Sequence, residues 1–290
     1  MLKTSTIQHL RIPFSFFLMP VFLFALSISP TVDWWRAFFA FISLHIFVYP
    51  ASNGFNSYYD KDEKSIGGIE KPLPVSKELL TASLIFDLIG INIGFLAGWE
   101  FAVALLVYGV VSKAYSHPSV RLKKYPLLSL LTIAIFQGGF IFLAVYMAIN
   151  QVDSSQLFEP AVFLPAFLSS TMLLGSYPMT QIYQHEEDSK RGDKTMSLWL
   201  GIKGTFLYTM NVFGLTTAGF AYFYYTYFGL PEAVSFAFAL LPVLVFFFSW
   251  FLKVIKDKEQ ANFHNTMRLN LISAVCLNLF YLLFYLFLNK

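Results

Sequence analysis

The sequence predicts an all-α fold. We expect a polytopic membrane protein of about nine transmembrane helices in a single bundle, residues 1–290 forming one domain, with its candidate active site at the cytoplasmic mouth. Three observations carry that prediction. The chain is 57% hydrophobic and only 13% charged, with mean hydropathy +0.60, which excludes a disordered chain and argues against an ordinary soluble domain. Apolar runs close to the roughly 20 residues that cross a bilayer recur along the whole length. Basic residues fall almost entirely on one side of those runs.

In order, the spans read roughly 12–30, 35–59, 79–98, 100–117, 127–149, 160–183, 204–227, 232–252 and 267–288. The first follows Lys3 and Arg11 and holds the apolar stretch Phe14–Leu26 before Ser27 and Ser29. A cleaved signal peptide shares those features, and the later loops keep their side either way. Lys61, Lys64, Lys71 and Lys77 follow the second span; Lys113, Arg121, Lys123 and Lys124 flank the end of the fourth. Lys190, Arg191, Lys194 and Lys203 follow the sixth, and Lys253, Lys256, Lys258 and Arg268 the eighth. With Lys3 and Arg11, 18 of the 20 Lys and Arg share one side, leaving Arg36 and Lys290 for the other. That bias puts the N-terminus and the ends of the even helices in the cytoplasm and the C-terminus outside, in the inner membrane if the cell is bacterial. The net charge of +3 follows from topology and implies no nucleic-acid partner. The lone Cys276, in the last span, excludes an intrachain disulfide and a cysteine-built metal site. Within the spans, His45, Asp87, Asn92, Gln137, Asn211, Asn270 and Asn278 are costly against lipid and are expected to turn inward. For Asp87 an acceptor contact and an interhelical bond are both open.

A twelve-residue pattern occurs twice, 128 positions apart: Tyr49-Pro-Ala-Ser-Asn-Gly-Phe-Asn-Ser-Tyr-Tyr-Asp60 and Tyr177-Pro-Met-Thr-Gln-Ile-Tyr-Gln-His-Glu-Glu-Asp188. Asn53, Asn56 and Asp60 in the first copy, and Gln181, Gln184 and Asp188 in the second, fall at i, i+3 and i+7, one stripe of a helix. Pro50 and Pro178 are placed to kink the two helices in matching fashion. Each copy opens a charged loop. In the first, Asp62 and Glu63 interleave with Lys61, Lys64 and Lys71 before Lys71-Pro72-Leu73-Pro74. In the second, Glu186, Glu187 and Asp188 precede Lys190-Arg191 and Gly192-Asp193-Lys194-Thr195. Carboxylates and amide oxygens are what Mg²⁺ prefers, with substrate phosphate and water completing its shell, and lysines meet phosphate as point charges. Two such patches on one face fit two metals clamping a diphosphate. A solvated charged loop is the plainer reading of either copy alone. The basic segment Lys113–Pro126 becomes a source of positive charge beside them, with His117-Pro118 turning the chain.

These residues resemble the UbiA superfamily of intramembrane prenyltransferases. The likeness rests on Asn56-x-x-x-Asp60-x-Asp62, Lys71-Pro72-Leu73-Pro74, Tyr115-Ser116 with Arg121-x-Lys123-Lys124, and Asp188-x-x-x-Gly192-x-x-Thr195 with Leu200-Gly201. It covers nearly the whole chain and implies a nine-helix bundle with Asp-rich motifs after helices two and six. By it, Asn56, Asp60 and Asp62 serve one Mg²⁺, and Asp188, with the amide of Gln184, the other. Asp60, Asp188, Lys123 and Arg121 are the catalytic candidates. Asn53, Lys64, Tyr115, Gln181, Tyr183 and Lys194 are the candidate substrate contacts. Two positions depart from the family pattern: Lys64 and Gln184 stand where it usually carries aspartate. Lys64 is expected to meet a diphosphate oxygen directly and Gln184 to ligate as an amide; weaker metal binding, an unusual substrate or lost activity also fit.

The implied reaction is Mg²⁺-dependent transfer of an isoprenyl group from its diphosphate to a small hydrophobic, most often aromatic, acceptor within membrane lipid. Of the 34 Phe and 16 Tyr, Tyr58, Tyr59 and Tyr183 lie nearest the patches and are the first choices to face a carbocation. A membrane terpene cyclase would use the same ionisation without an external acceptor. A secondary transporter shares the repeats and prolines but places its site at the bilayer midplane. A histidine-cluster oxygenase is excluded, because the five histidines are scattered. No protein partner is implied.

Overall fold

The computed structural model describes residues 2–288, so Lys290 and the expected position of the C-terminus lie outside the described residues. Long helices follow one another in the predicted order: α1 (Thr4–Ser27), α2 (Trp34–Asp60), α3 (Glu78–Ala97), α4 (Trp99–Ser116), α5 (Pro126–Asn150), α6 (Pro160–Gln181), α7 (Met196–Tyr227), α8 (Leu230–Lys256) and α9 (Phe263–Leu288). Seven of them are long and apolar enough to cross a membrane by length and composition; α4 and α7 are long but more polar. The excess polarity has a use, since Ser112, Tyr115 and Ser116 on α4 and Thr209 and Thr217 on α7 line an internal cavity.

Three boundaries depart from expectation. The first helix begins at Thr4, so Arg11 sits inside it, at a left-handed break (φ 49°, ψ 43°) between Thr4–Leu10 and a 3₁₀ turn over Ile12–Phe17. The seventh begins at Met196, interrupted at Gly201 where the backbone leaves helical geometry. The second copy of the repeated motif is not one helix. Tyr177–Gln181 winds as a 3₁₀ turn, Gln184 breaks it, and a short helix runs from His185 to Arg191. The first copy is α-helical throughout, Tyr49–Asp60. The matching kinks are therefore not formed. Ahead of Pro50 the chain widens into a π-helical stretch, Ile42–Val48, which relieves the ring and lets α2 continue.

Tight packing without a hydrophobic drive between lipid-embedded helices depends on small residues at the contacts. Gly138 and Gly139, in a second π-helical stretch (Ala134–Phe140), bring α5 against the α6 backbone. A Cβ at Gly138 would meet Ser170 Cα at 2.7 Å, and one at Gly139 would meet Ala166 O at 2.7 Å. The buried core joins all nine helices, with Phe24, Phe142, Phe220 and Tyr281 at its centre.

Most intramembrane polar residues turn inward as expected. His45, Asp87 and Asn278 are buried, and Gln137 and Asn270 line the cavity. Asn92 and Asn211 do not: both are exposed on the bundle's outer surface. Each satisfies its amide by donating to a carbonyl one turn back, Leu88 and Leu207, at 2.7 Å. Asp87 stands away from the cavity and forms an ion pair with Lys113, so its role is interhelical.

Candidate active site

A cavity of about 630 Å³ opens at the end of the bundle where α2, α4 and α6 finish. Its mouth is polar and its depth apolar. From the first motif copy it is lined by Asn53, Asn56, Asp60 and Asp62, and from the second by Gln181, Tyr183, Gln184 and Asp188. The two copies thus face one hollow, although their backbones differ. The left-handed Lys61 (φ 51°) ends α2 and folds Asp62 back over the mouth. Gly192, also left-handed (φ 74°), ends the short helix and lets the Asp193 amide bond Asp188 O at 2.9 Å.

Around this mouth four carboxylates and three cations form one network. Arg191 is the link. It pairs with Asp62 through Nη1, with Asp188 Oδ1 through Nη2 at 2.9 Å, and with Asp193 Oδ2 through Nε at 3.5 Å. Lys123 pairs with Asp60 and lies 3.7 Å from Asp193 Oδ2. Arg121 grips Asp193 as a fork, Nε to Oδ1 at 2.8 Å and Nη2 to Oδ2 at 2.9 Å, and reaches Asp60 Oδ1 at 3.5 Å. Thr195 donates to Asp188 Oδ2 at 3.2 Å.

Burial sets the protonation of these acids. It pushes the Asp188 carboxyl up to about 6, against the pull of Arg191, and it raises Asp62 against the same guanidinium. For Asp193 burial also works upward, but the hydrogen bonds from Arg121 and the charge of Lys123 outweigh it and hold the carboxyl low.

The amides divide their functions. Asn56 donates its NH₂ to Ser116 Oγ at 2.8 Å, leaving its carbonyl oxygen free. Asn53 Nδ2 is buried with no partner, an unspent donor in the cavity wall. Gln181 spends its carbonyl on the Ser197 amide at 3.2 Å. Tyr115 lines the cavity with its hydroxyl bonded to those of Ser129, at 3.0 Å, and Tyr177.

Other expected contacts are placed elsewhere. Lys64 is half exposed and pairs with Glu186 on the surface, while its backbone amide bonds Glu187 Oε1 at 2.8 Å. Lys194 is exposed, and its amide donates to Lys124 O at 3.2 Å. Neither lines the cavity, and Arg121 stands behind Asp60 and Asp193 instead of facing it. Tyr58 and Tyr59 also stand outside the lining; Tyr59 packs on His117 and Phe55.

Among the lining residues that sequence reasoning missed are Arg191, Asp193, Arg11 and Tyr177. Arg191 and Arg11 read as topology signals. Arg11 instead donates to Asn53 O at 3.3 Å and Gly67 O at 3.2 Å. The signal for Arg191 and Asp193 was their position three and five residues after the second motif's aspartate. Tyr177 opens that motif and was its own signal.

The donors suit a hard cation bound together with a ligand. Among the described residues no three His, Cys, Asp or Glu side chains form a ready-made cage. Mg²⁺ needs only one or two carboxylates when phosphate and water complete its octahedron. The free Asn56 oxygen and the acids of both motifs meet that requirement, once their basic partners move over to the ligand.

The profile of the UbiA prenyltransferase family matches residues 17–272. No curated protein matches the sequence. In three dimensions the chain is similar to a UbiA homolog from Archaeoglobus fulgidus solved with DMAPP and Mg²⁺: TM-score 0.66, 18% identity, covering 97% of this chain and 99% of that one. The same homolog bound to GPP and Mg²⁺ gives 0.65 at 18% identity, with the same coverage. A digeranylgeranylglyceryl phosphate synthase gives 0.60 at 16% identity, covering 97% and 96% of the two chains. At these identities the likeness speaks for the fold.

Proposed function

Because the chain belongs to the UbiA prenyltransferase family, we propose that it transfers an isoprenyl group from an isoprenyl diphosphate to a small hydrophobic or aromatic acceptor inside the membrane. The observation that carries this reading is the convergence of Asp60, Asp62 and Asp188 on the mouth of one cavity, where Arg191 joins Asp62 to Asp188 and Lys123 holds Asp60, above an apolar chamber. A polyanion with a hydrocarbon tail matches both halves of that space.

In this reading Asn56, Asp60, Asp62, Gln184 and Asp188 hold Mg²⁺, the ion bound in the Archaeoglobus homolog. When bound, Mg²⁺ supplies a Lewis acid for the negative charge on a departing diphosphate. The remaining work belongs to the chain. Asn53 Nδ2 donates to a diphosphate oxygen, and Arg191 and Lys123 exchange their carboxylates for phosphate oxygens. Arg121 keeps Asp60 and Asp193 in place from behind. The allylic C–O bond breaks with its electron pair leaving on the diphosphate. The cation forms among Tyr108, Tyr115, Tyr177 and Phe136, whose rings line the chamber and exclude water. The acceptor's electrons then close the new bond and its proton is released. The mouth faces the cytoplasm, as the 18 basic residues on that side imply.

The test uses purified protein in nanodiscs with labelled isoprenyl diphosphates, Mg²⁺ and a panel of acceptors. Prenylation of one acceptor class supports the reading and names the acceptor. Diphosphate release with no acceptor points to cyclisation, and no consumption of any diphosphate refutes both.

A further inference from the structure

One cation in the cavity wall has no acid. The basic side chains that line the hollow are Arg11, Lys123 and Arg191. Lys123 is held by Asp60, and Arg191 by Asp62 and Asp188. Arg11 forms no ion pair with any described carboxylate. It spends its Nη groups on backbone carbonyls, Gly67 O at 3.2 Å and Asn53 O at 3.3 Å, and its Nε is buried with no partner. A guanidinium drawn out of water without a counter-ion is costly until an anion meets it.

The chain builds this position. Arg11 stands in the left-handed region (φ 49°, ψ 43°), which is unfavourable for a residue with a Cβ. The turn before it is tied to the α2–α3 loop: the Leu73 amide donates to Gln8 Oε1 at 2.8 Å, and His9 Nε2 bonds Leu73 O at 2.7 Å. The same loop closes on Phe14. A Cβ at Gly67 or Gly68 would meet that ring at 2.9 Å, so glycine is what brings Gly67 O within reach of the guanidinium. The walls alongside are aromatic. Arg11 Cζ lies 5.5 Å from the Phe14 ring centre, Phe14 meets Phe17 edge-on at 5.1 Å, and both rings line the cavity with Tyr183.

In the prenyl-transfer reading two anions can enter: the diphosphate and any charge on the acceptor. The diphosphate comes with Mg²⁺, and Mg²⁺ goes where the carboxylates are. Arg11 pairs with none of them, so it suits an oxyanion that carries no metal, gripped by a planar fork. Flanking rings favour a flat partner over a glycerol backbone. We propose that Arg11 selects the acceptor by binding a carboxylate carried on an aromatic ring, which makes the acceptor an aromatic acid. The inference rests on the prenyl-transfer reading and narrows its acceptor.

The experiment compares matched pairs. Wild-type protein in nanodiscs, with Mg²⁺ and a labelled two-unit isoprenyl diphosphate, is offered hydroxybenzoate, hydroxynaphthoate, the carboxamide of each, and glycerol phosphate. At least one acid is expected to exceed its carboxamide at least about tenfold in kcat/KM, the usual worth of a hydrogen bond to a charged group. Arg11→Gly removes the guanidinium and suits the left-handed backbone; Arg11→Gln keeps a shorter donor. Both are expected to bring acid and carboxamide within about threefold of each other, through KM for the acceptor. Binding of a tritiated two-unit thiolodiphosphate, measured directly, is expected to stay within about threefold of wild type. Carboxamides used as well as acids by the wild type, prenylation of glycerol phosphate instead, or an acid preference that survives in both variants overturns the proposal. Loss of thiolodiphosphate binding in both variants also overturns it, by placing Arg11 on the donor. No consumption of the diphosphate with any acceptor, or without one, refutes the prenyl-transfer reading itself.

Discussion

Replacing Arg191 with Met removes the one side chain that touches Asp62, Asp188 and Asp193 together. Taking one partner from a buried ion pair costs about 3–5 kcal/mol, because the charge left behind has lost its water. Here the low end applies. Asp193 keeps the Arg121 fork and Asp188 keeps the Thr195 hydroxyl, while Asp62 and Asp188 both lose the direct cation that Arg191 gave them. Protonation of Asp188, already raised to about 6, relieves part of the strain. A loss of about 3 kcal/mol corresponds to a fall in Tm of roughly 6–12 °C for a chain of this size.

The informative measurement is the response to Mg²⁺. A ligand at a hundred times its Kd stabilises a protein by about 2.7 kcal/mol. In the wild-type protein part of that is spent in moving the Arg191 guanidinium off its carboxylates. In Arg191→Met the acids are already vacant, so Mg²⁺ should raise Tm more than it does in the wild type. Tryptophan fluorescence follows unfolding in nanodiscs, in EDTA and at millimolar Mg²⁺. Equal Mg²⁺ shifts in the two proteins, or an unchanged Tm in EDTA, would show that the guanidinium and the cation do not share these oxygens. Turnover should drop on the order of a hundredfold, the usual cost of one donor to developing charge.

Asp60→Ala and Asp188→Ala should each lower kcat/KM by at least about a hundredfold at limiting Mg²⁺; full turnover in both variants would remove these residues from the mechanism. The raised carboxyl of Asp188 predicts a pH dependence of metal binding: apparent Mg²⁺ affinity holds above pH 6 and falls about tenfold per unit below it, read from Mg²⁺ titrations of Tm. The same shift has the opposite sign for the metal-free fold. The folded chain takes up this proton before the unfolded chain does, so the Asp188 contribution to stability grows as pH falls from 6 towards 4, checked by melts in EDTA. The intramembrane pair of Asp87 and Lys113 predicts non-additivity: Asp87→Leu or Lys113→Leu alone costs about 3–5 kcal/mol, and the double substitution less than either, measured as a double-mutant cycle.

The fold was legible because its signals repeat. Nine apolar runs and one-sided lysines are each redundant, and a boundary error of several residues leaves the bundle intact. The site was legible wherever spacing along a regular helix decides direction: Asn53, Asn56 and Asp60 lie on a continuous α2 and line the mouth together. It failed where direction depends on loop conformation. Lys64 and Lys194 carry the right chemistry in the right loops, yet acidic Glu186 captures one and solvent the other. Arg11 could not be found from spacing, because a left-handed residue inside an apolar helix is what aims its guanidinium at Asn53. Asn92 and Asn211 failed for another reason: a carbonyl one turn back satisfies an amide facing lipid, so the cost assumed for such a position is not incurred.

The two motif copies differ in backbone because their prolines meet different neighbours. Pro178 has no amide for the Leu174 carbonyl, and the 3₁₀ turn that follows leaves the Gly175 carbonyl free as well. Both find donors on α7: Tyr208 Oη reaches Leu174 O at 3.3 Å and Thr209 Oγ1 reaches Gly175 O at 2.9 Å. The break thereby ties α6 to α7, and α6 ends early. Had it continued as α2 does, Asp188 would ride on a straight rod, and the chain could not turn through Gln184 into the short helix that carries Arg191. Asp188 and Arg191, three residues apart on that helix, present an acid and a base to the same space. On α2 the acid instead takes its bases from another loop, through Lys123 and Arg121. The repeated sequence therefore supplies matched carboxylates, while the unmatched backbones supply the cations that pair with them.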